Sequence, residues 1–181
     1  MKDKREDVMS NKILICGLNG AGKSTLGKRL AEKLRYKFKD MEDYYFPGND
    51  SEYPYESART RAEVSNLLLE DMKKYDNFVL ASVKGDYGDE VMSMFTCTVL
   101  ISVPKDIRMK RVIDRSFQKF GNRMLSDGDL YEKEKNFFDM VRQRSEWEIE
   151  NWLRTIHVPI IQVDGTKPVD SNIAEIIDQL N

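Results

Sequence analysis

Residues 16–25 read Cys-Gly-Leu-Asn-Gly-Ala-Gly-Lys-Ser-Thr and directly follow the apolar run Ile13-Leu14-Ile15. The spacing Gly17-x-x-x-x-Gly22-Lys23-Ser24 is that of a phosphate-binding loop. Glycine lets the backbone curl so that successive N–H groups point inward, and no side chain blocks the approach of an anion. On this pattern Gly17, Asn19, Gly20, Ala21, Gly22 and Thr25 line the phosphates, Lys23 reaches the terminal ones, and Ser24 ligates magnesium. The helix predicted from Leu26, Leu30 and Leu34 adds the positive end of its dipole. The chemistry expected of this stretch is therefore binding of a nucleoside triphosphate, ATP, with Mg2+.

Other chemistries are excluded by what the chain lacks. Its 181 residues carry one histidine, His157, so histidine-based triads and His/Cys zinc sites are ruled out. The two cysteines, Cys16 and Cys97, sit in apolar runs and read as small buried hydrophobes in a cytoplasmic protein. Charged residues make up 33% with a net charge of −2, which points to neither a nucleic acid nor a membrane surface as partner. No apolar stretch approaches the ~20 residues of a membrane span. A small-molecule acceptor is the expected second partner, and the protein is expected to be a monomer or a homodimer.

The elements that must position the loop follow from periodicity. Apolar runs occur at 12–16, 36–41, 77–83, 97–103 and 159–163, and helical spacing at 23–35, 57–74, 105–120, 132–154 and 171–180. Strands alternating with helices predict one α/β domain with a parallel sheet covered on both faces. Residues 1–11 are expected to be a flexible lead-in. The turn-rich stretch 46–54 is expected to lie over a cleft. Ligands of such sheets sit beyond the carboxyl ends of the strands.

Three further stretches, 103–115, 137–147 and 160–169, resemble the adenylate kinase branch of the nucleoside monophosphate kinases in order and spacing. The resemblance implies a P-loop three-layer sandwich with five strands in the order 2-3-1-4-5. It implies that Arg111 stacks on adenine and Arg115 contacts phosphate. Arg144, with Arg123 as a further candidate, closes on the transferring phosphoryl group. It also assigns the adenine edge to the turn Gly165, Thr166, Lys167, Pro168, and a lid to residues 116–131. The middle of the chain departs from that family. Where adenylate kinases end the third strand in Asp-Gly-Phe-Pro-Arg, this chain has Ser82-Val83-Lys84-Gly85-Asp86. Lys84 and Asp86, with Arg59 and Arg61 on the preceding helix, are the groups left for the acceptor, and 43–76 is the expected acceptor-binding region.

At the end of the second apolar run, Asp40-Met41-Glu42-Asp43 resembles the Asp-x-Asp of shikimate and gluconate kinases. By that resemblance Asp40 orders magnesium, while Glu42 or Asp43 orients or deprotonates the acceptor. The reading that combines these features is an ATP-dependent phosphotransferase acting on a nucleotide or a small hydroxylated metabolite. A regulatory nucleotide-binding NTPase and a toxin-like kinase acting on an activated sugar are the alternatives.

Overall fold

The computed structural model describes residues 10–48 and 53–180. The expected flexible lead-in falls outside the described residues except for Ser10 and Asn11, as do positions 49–52 of the turn-rich stretch. Five parallel strands form one sheet in the order β2-β3-β1-β4-β5. They are β1 (Lys12–Cys16), β2 (Lys37–Asp40), β3 (Phe78–Ala81), β4 (Cys97–Ser102) and β5 (Ile160–Asp164). The central strands β1, β3 and β4 are buried at odd and even positions nearly throughout, as cover on both faces requires, whereas the edge strands β2 and β5 are partly exposed.

That two-sided burial is explicit in β1. Ile13 and Ile15 join Val79, Val99 and Ile161 against α1 (Lys23–Leu34) and α8 (Val169–Leu180). Leu14 and Cys16 turn the other way, with Phe78 and Leu80, toward α2 (Met41–Tyr45), α3 (Arg61–Lys74), α4 (Asp89–Ser93) and α7 (Glu146–Leu153). Both cysteines are buried and free, and burial pushes the Cys16 thiol up to about 12, so its nucleophilic thiolate is suppressed. A third cluster, Val112, Met124, Phe138 and Val141, joins α5 (Lys105–Phe120) to α6 (Tyr131–Gln143).

The helix boundaries differ from the periodicity in ways that capping explains. The helix expected from residue 57 starts at Arg61, where Thr60 and Glu63 form a reciprocal capping box. The helical stretch 132–154 is two helices, because Arg144 is extended and the Ser145 side chain caps α7 by accepting from Trp147 N. The polar stretch 116–131 is not one open loop. Its first residues complete α5, Gly121–Met124 form a 3-10 helix, and Met124 and Leu130 are buried. The short helix α2 was not expected; Asp40 starts it by accepting from Glu42 N at 3.0 Å.

One close approach locks β5 to the centre of the sheet. Gly165 donates its N–H to Ser102 O at 2.9 Å. A Cβ added there would lie 2.5 Å from Val103 Cγ2 and 2.9 Å from Ala21 O in the glycine-rich loop. Neither neighbour can retreat without moving backbone or core. Gly165→Ala is therefore expected to lower unfolding free energy by about 1–3 kcal/mol through overpacking. Urea denaturation checks this, and an unchanged midpoint would show that the turn is not pressed against the loop.

Candidate active site

Strand β1 ends at Cys16, and residues 17–22 curl from its carboxyl end into the first turn of α1. Gly20 sits at φ 80, a conformation open to glycine, with the Arg108 backbone carbonyl where its Cβ would be. Helix α1 begins with no side-chain cap and no acidic residue in its first turn, so its positive end is left for an anion from outside the chain. Lys23 Nζ donates to Leu18 O at 3.1 Å, which folds the ammonium back over the loop.

A cleft of about 560 Å³ opens at this point. Asn19, Gly20, Lys23 and Ser24 form its floor on the β1 side; Asp40 and Glu42 enter from the end of β2. Lys84 and Asp86 follow β3, and Arg115 and Arg144 come from beyond β4. Arg144 donates to Asn19 Oδ1 at 2.5 Å, tying the far wall to the loop. Burial lowers the Arg144 pKa from its ordinary value, opposed by Glu148 and Tyr87. Burial pushes the Lys23 pKa down from 10.5 to about 8; Asp40 and Glu42 oppose the fall, and Arg115 and Arg144 add to it. Five of the expected residues thus share one field, since Asp40, Glu42, Arg115 and Arg144 all act on the Lys23 ammonium.

Not all expected residues meet there. Asp43 does not line the cleft: α2 buries Met41 and Tyr44, and the helical turn leaves Asp43 exposed on another side. Arg123 turns onto Asp129 at 2.5 Å and is not among the lining side chains. Arg59 donates to Tyr44 O at 2.9 Å and serves the α2–α3 connection. Arg61 and Lys84 instead converge on Asp86, at 3.5 and 3.3 Å.

The expected base-binding set lies apart from the cleft, on the other side of the loop. Arg111 donates to Gly20 O at 3.4 Å and to Gly165 O at 3.2 Å, bridging the loop and the turn. Thr166, Lys167 and Pro168 are exposed. Asp164 Oδ1 holds the turn by accepting from Thr166 N at 2.8 Å and Thr166 Oγ1 at 2.6 Å, and these bonds lower its pKa. Thr25, next to Ser24, is exposed on the first turn of α1 and does not line the cleft.

Two groups of residues escaped the sequence reading. Arg108 is 3% exposed, donates through Nε to Val103 O at 2.9 Å, and reaches Glu146 at 3.6 Å. It shares its helix face with buried Val112, Ser116 and Phe120, so a cation at an apolar-stripe position was its visible signal. The aromatic lining, Tyr45, Phe46, Tyr53, Tyr55, Tyr87 and Phe137, is dispersed over three segments and gave no local pattern.

Magnesium fits this donor set in a limited way. Among the described residues no cluster of three or more His, Cys, Asp or Glu side chains could hold a metal alone. Ser24 and Asp40 both line the cleft. Mg2+ is commonly held by one or two protein oxygens together with water and substrate phosphates, which is what this pair offers.

The comparisons with known proteins agree with this geometry. The AAA domain family matches residues 13–123. The chain is 28% identical to the uncharacterized protein YqaC of Bacillus subtilis over 181 residues, covering 96% of this chain and 99% of that one. It is 30% identical over 103 residues to a shikimate kinase of Clostridium botulinum, covering 53% of this chain and 62% of that enzyme. Among solved structures, a gluconokinase from Sinorhizobium meliloti shares the fold with a TM-score of 0.56 at 16% identity, covering 95% and 92% of the two chains. A shikimate kinase from Aquifex aeolicus shares it with a TM-score of 0.51 at 21% identity, covering 93% and 95%. No helix among the described residues is long and apolar enough to cross a membrane.

The depressed Lys23 ammonium has a measurable consequence. A triphosphate placed on it restores the charged form, so binding takes up a proton wherever the free protein has lost one, above about pH 8. Triphosphate affinity is expected to fall as pH rises through about 8, by up to tenfold per pH unit. Calorimetry in buffers of different ionisation enthalpy checks this: proton uptake should appear above about pH 8 in the parent and vanish in Lys23→Ala.

Proposed function

The chain belongs to the AAA domain family as a kinase-like P-loop domain, and on that premise we propose that it transfers the γ-phosphoryl group of Mg·ATP to a small-molecule acceptor. One observation carries the reading. One cleft runs from Lys23 and Ser24 of the loop to Lys84 and Asp86 beyond β3, and both carboxylates and cations line it. An NTPase that only hydrolyses or signals has no need of the second half of that cleft. The shikimate kinase and gluconokinase relatives support the same class of reaction.

Each side chain then has a distinct part. Lys23, Arg115 and Arg144 offset the charge that spreads over the transferring group. Ser24 and Asp40 would hold magnesium and its waters, and the ion would supply charge neutralisation when bound. Glu42, exposed at the start of α2 and lining the cleft, is placed to receive the acceptor proton. The acceptor oxygen bonds to the γ-phosphorus while the bond from that phosphorus to the bridging oxygen breaks, and ADP leaves with the electron pair. On the far side of the loop, Arg111 and the turn 164–168 would hold adenine. Residues 116–131, packed on α5 and α6, would act as the lid, and 43–76 would supply the acceptor side.

Asp40 also caps α2, so the test must separate charge from fold. Asparagine caps as well as aspartate. Asp40→Asn is therefore expected to leave stability near the parent value and to raise the magnesium requirement. Its kcat should fall about 100-fold, or about 3 kcal/mol of transition-state stabilisation. Steady-state ADP release at varied magnesium measures this, and activity within about twofold of the parent would remove Asp40 from the metal's support. Lys23→Ala is expected to weaken ATP binding and abolish turnover. ADP release that does not respond to any acceptor would point to the NTPase reading instead.

A further inference from the structure

The acceptor half of the cleft is a wall of rings. Tyr45, Phe46, Tyr53, Tyr55, Tyr87 and Phe137 line it. Phe46 meets Tyr55 edge to face with centroids 5.1 Å apart, and Tyr53 meets Tyr55 in the same way at 5.5 Å.

The hydroxyls on this wall are already engaged with protein. Tyr53 OH donates to Glu134 Oε1 at 3.1 Å, and Glu134 is 2% exposed. Tyr55 OH accepts from Lys119 Nζ at 3.0 Å. Tyr87 OH lies 3.4 Å from Ser82 Oγ and is hydrogen-bonded to Tyr45. A polyol needs a partner for each hydroxyl it buries, since one left unpaired gives up its water for nothing. Lys119 lies over the Tyr55 ring at 4.3 Å and Lys133 over the Tyr53 ring at 4.9 Å, and the ring surface left on this wall favours a second ring over a hydroxyl.

Charge is set into the same wall. Arg61 and Lys84 both approach Asp86, and Arg61 also lies over the Tyr87 ring at 6.0 Å. Two cations on one carboxylate leave one positive charge over, on side chains that are partly exposed and able to exchange partners.

We propose that the acceptor is a ring-bearing oxyanion: a hydroxyl compound whose flat ring lies against Tyr45, Phe46, Tyr55 and Tyr87, and whose anionic group replaces Asp86 on Arg61 and Lys84. This rests on reading the cleft as a phosphotransfer site. The hydroxyl is the group phosphorylated, and its proton passes to Glu42; the anionic group anchors and is not consumed. Carboxylate and phosphate satisfy the two cations by the same chemistry.

The test is calorimetric titration of the full chain loaded with magnesium and a non-hydrolysable ATP analogue. Five probes separate the terms: uridylate and orotidine carry ring and anion, uridine a ring alone, gluconate and shikimate an anion without an aromatic ring. Uridylate or orotidine is expected to bind about tenfold or more tighter than the other three; whichever of the two wins identifies phosphate or carboxylate. Gluconate or shikimate binding as tightly as both overturns the ring, uridine binding as tightly overturns the anion, and binding of none overturns the proposal. Tyr55→Leu keeps apolar volume and removes the ring. It is expected to weaken the preferred ring-bearing probe about five- to tenfold and gluconate not at all; equal effects on both overturn the ring contact. Failure of the chain to take up the ATP analogue would bring down the phosphotransfer reading itself, whereas uptake without preference for ring-bearing anions brings down the acceptor class alone.

Discussion

The constraint on which the rest depends is the close packing around residues 17–22. The loop can curl only because Gly20 accepts φ 80 and lets the Arg108 carbonyl occupy the space of a side chain. That contact fixes α5 against the loop, and Arg111, one turn further on, then bridges Gly20 and Gly165. Gly165 in turn approaches Ala21 from the end of β5. Three segments far apart in sequence are thus held to one backbone turn by missing side chains. The arrangement stabilises no single strong bond; it sets the spacing at which α1's uncapped end, Lys23 and the arginines face the same volume.

Within that volume the charges are arranged to be completed from outside. Burial is the main cause that brings the Lys23 ammonium down to about 8; Asp40 and Glu42 oppose the fall, and Arg115 and Arg144 add to it. A polyphosphate supplies the missing negative charge, and burial makes each interaction stronger than it would be in water. The Arg144–Asn19 bond and the Arg108–Glu146 contact hold the arginine-bearing segments at the loop without neutralising the cations that face the cleft.

The strands and the loop were legible because each rests on a local rule: burial gives apolar runs, and an anion-binding turn requires glycine at fixed positions; the sheet order came from the resemblance to the adenylate kinase branch. Lys23 and Ser24 were legible by spacing and Asp40, Glu42, Arg115 and Arg144 by resemblance to kinase families, and the structure brings all six to one cleft. Asp43 stays outside the cleft because residues 41–45 form the short helix α2, in which adjacent residues diverge by about 100°. Arg123 failed because its partner, Asp129, lies within the same compact turn. The aromatic wall was illegible because Tyr45, Tyr53, Tyr87 and Phe137 meet only through tertiary folding, with no period in common. Arg108 was hidden by its neighbours Arg111 and Arg115, which fit the expected pattern better.

The strand topology accounts for how a carboxylate from β2 can serve a loop on β1. In the order β2-β3-β1, β3 lies between them, and adjacent strands are about 4.8 Å apart. Asp40 pairs in register with Ala81, and Ser82 follows at the end of β3. Both are small, and the Ser82 hydroxyl is drawn down onto Lys84 O at 2.7 Å. A large acidic side chain at that point would fill the path between β2 and the loop. With Ala81 and Ser82 there instead, Asp40 and Glu42 look across β3 to Lys23, and their charges register on its ammonium. The small residues at the end of β3 thus leave the neighbouring strand's carboxylates within reach of the Lys23 side of the cleft.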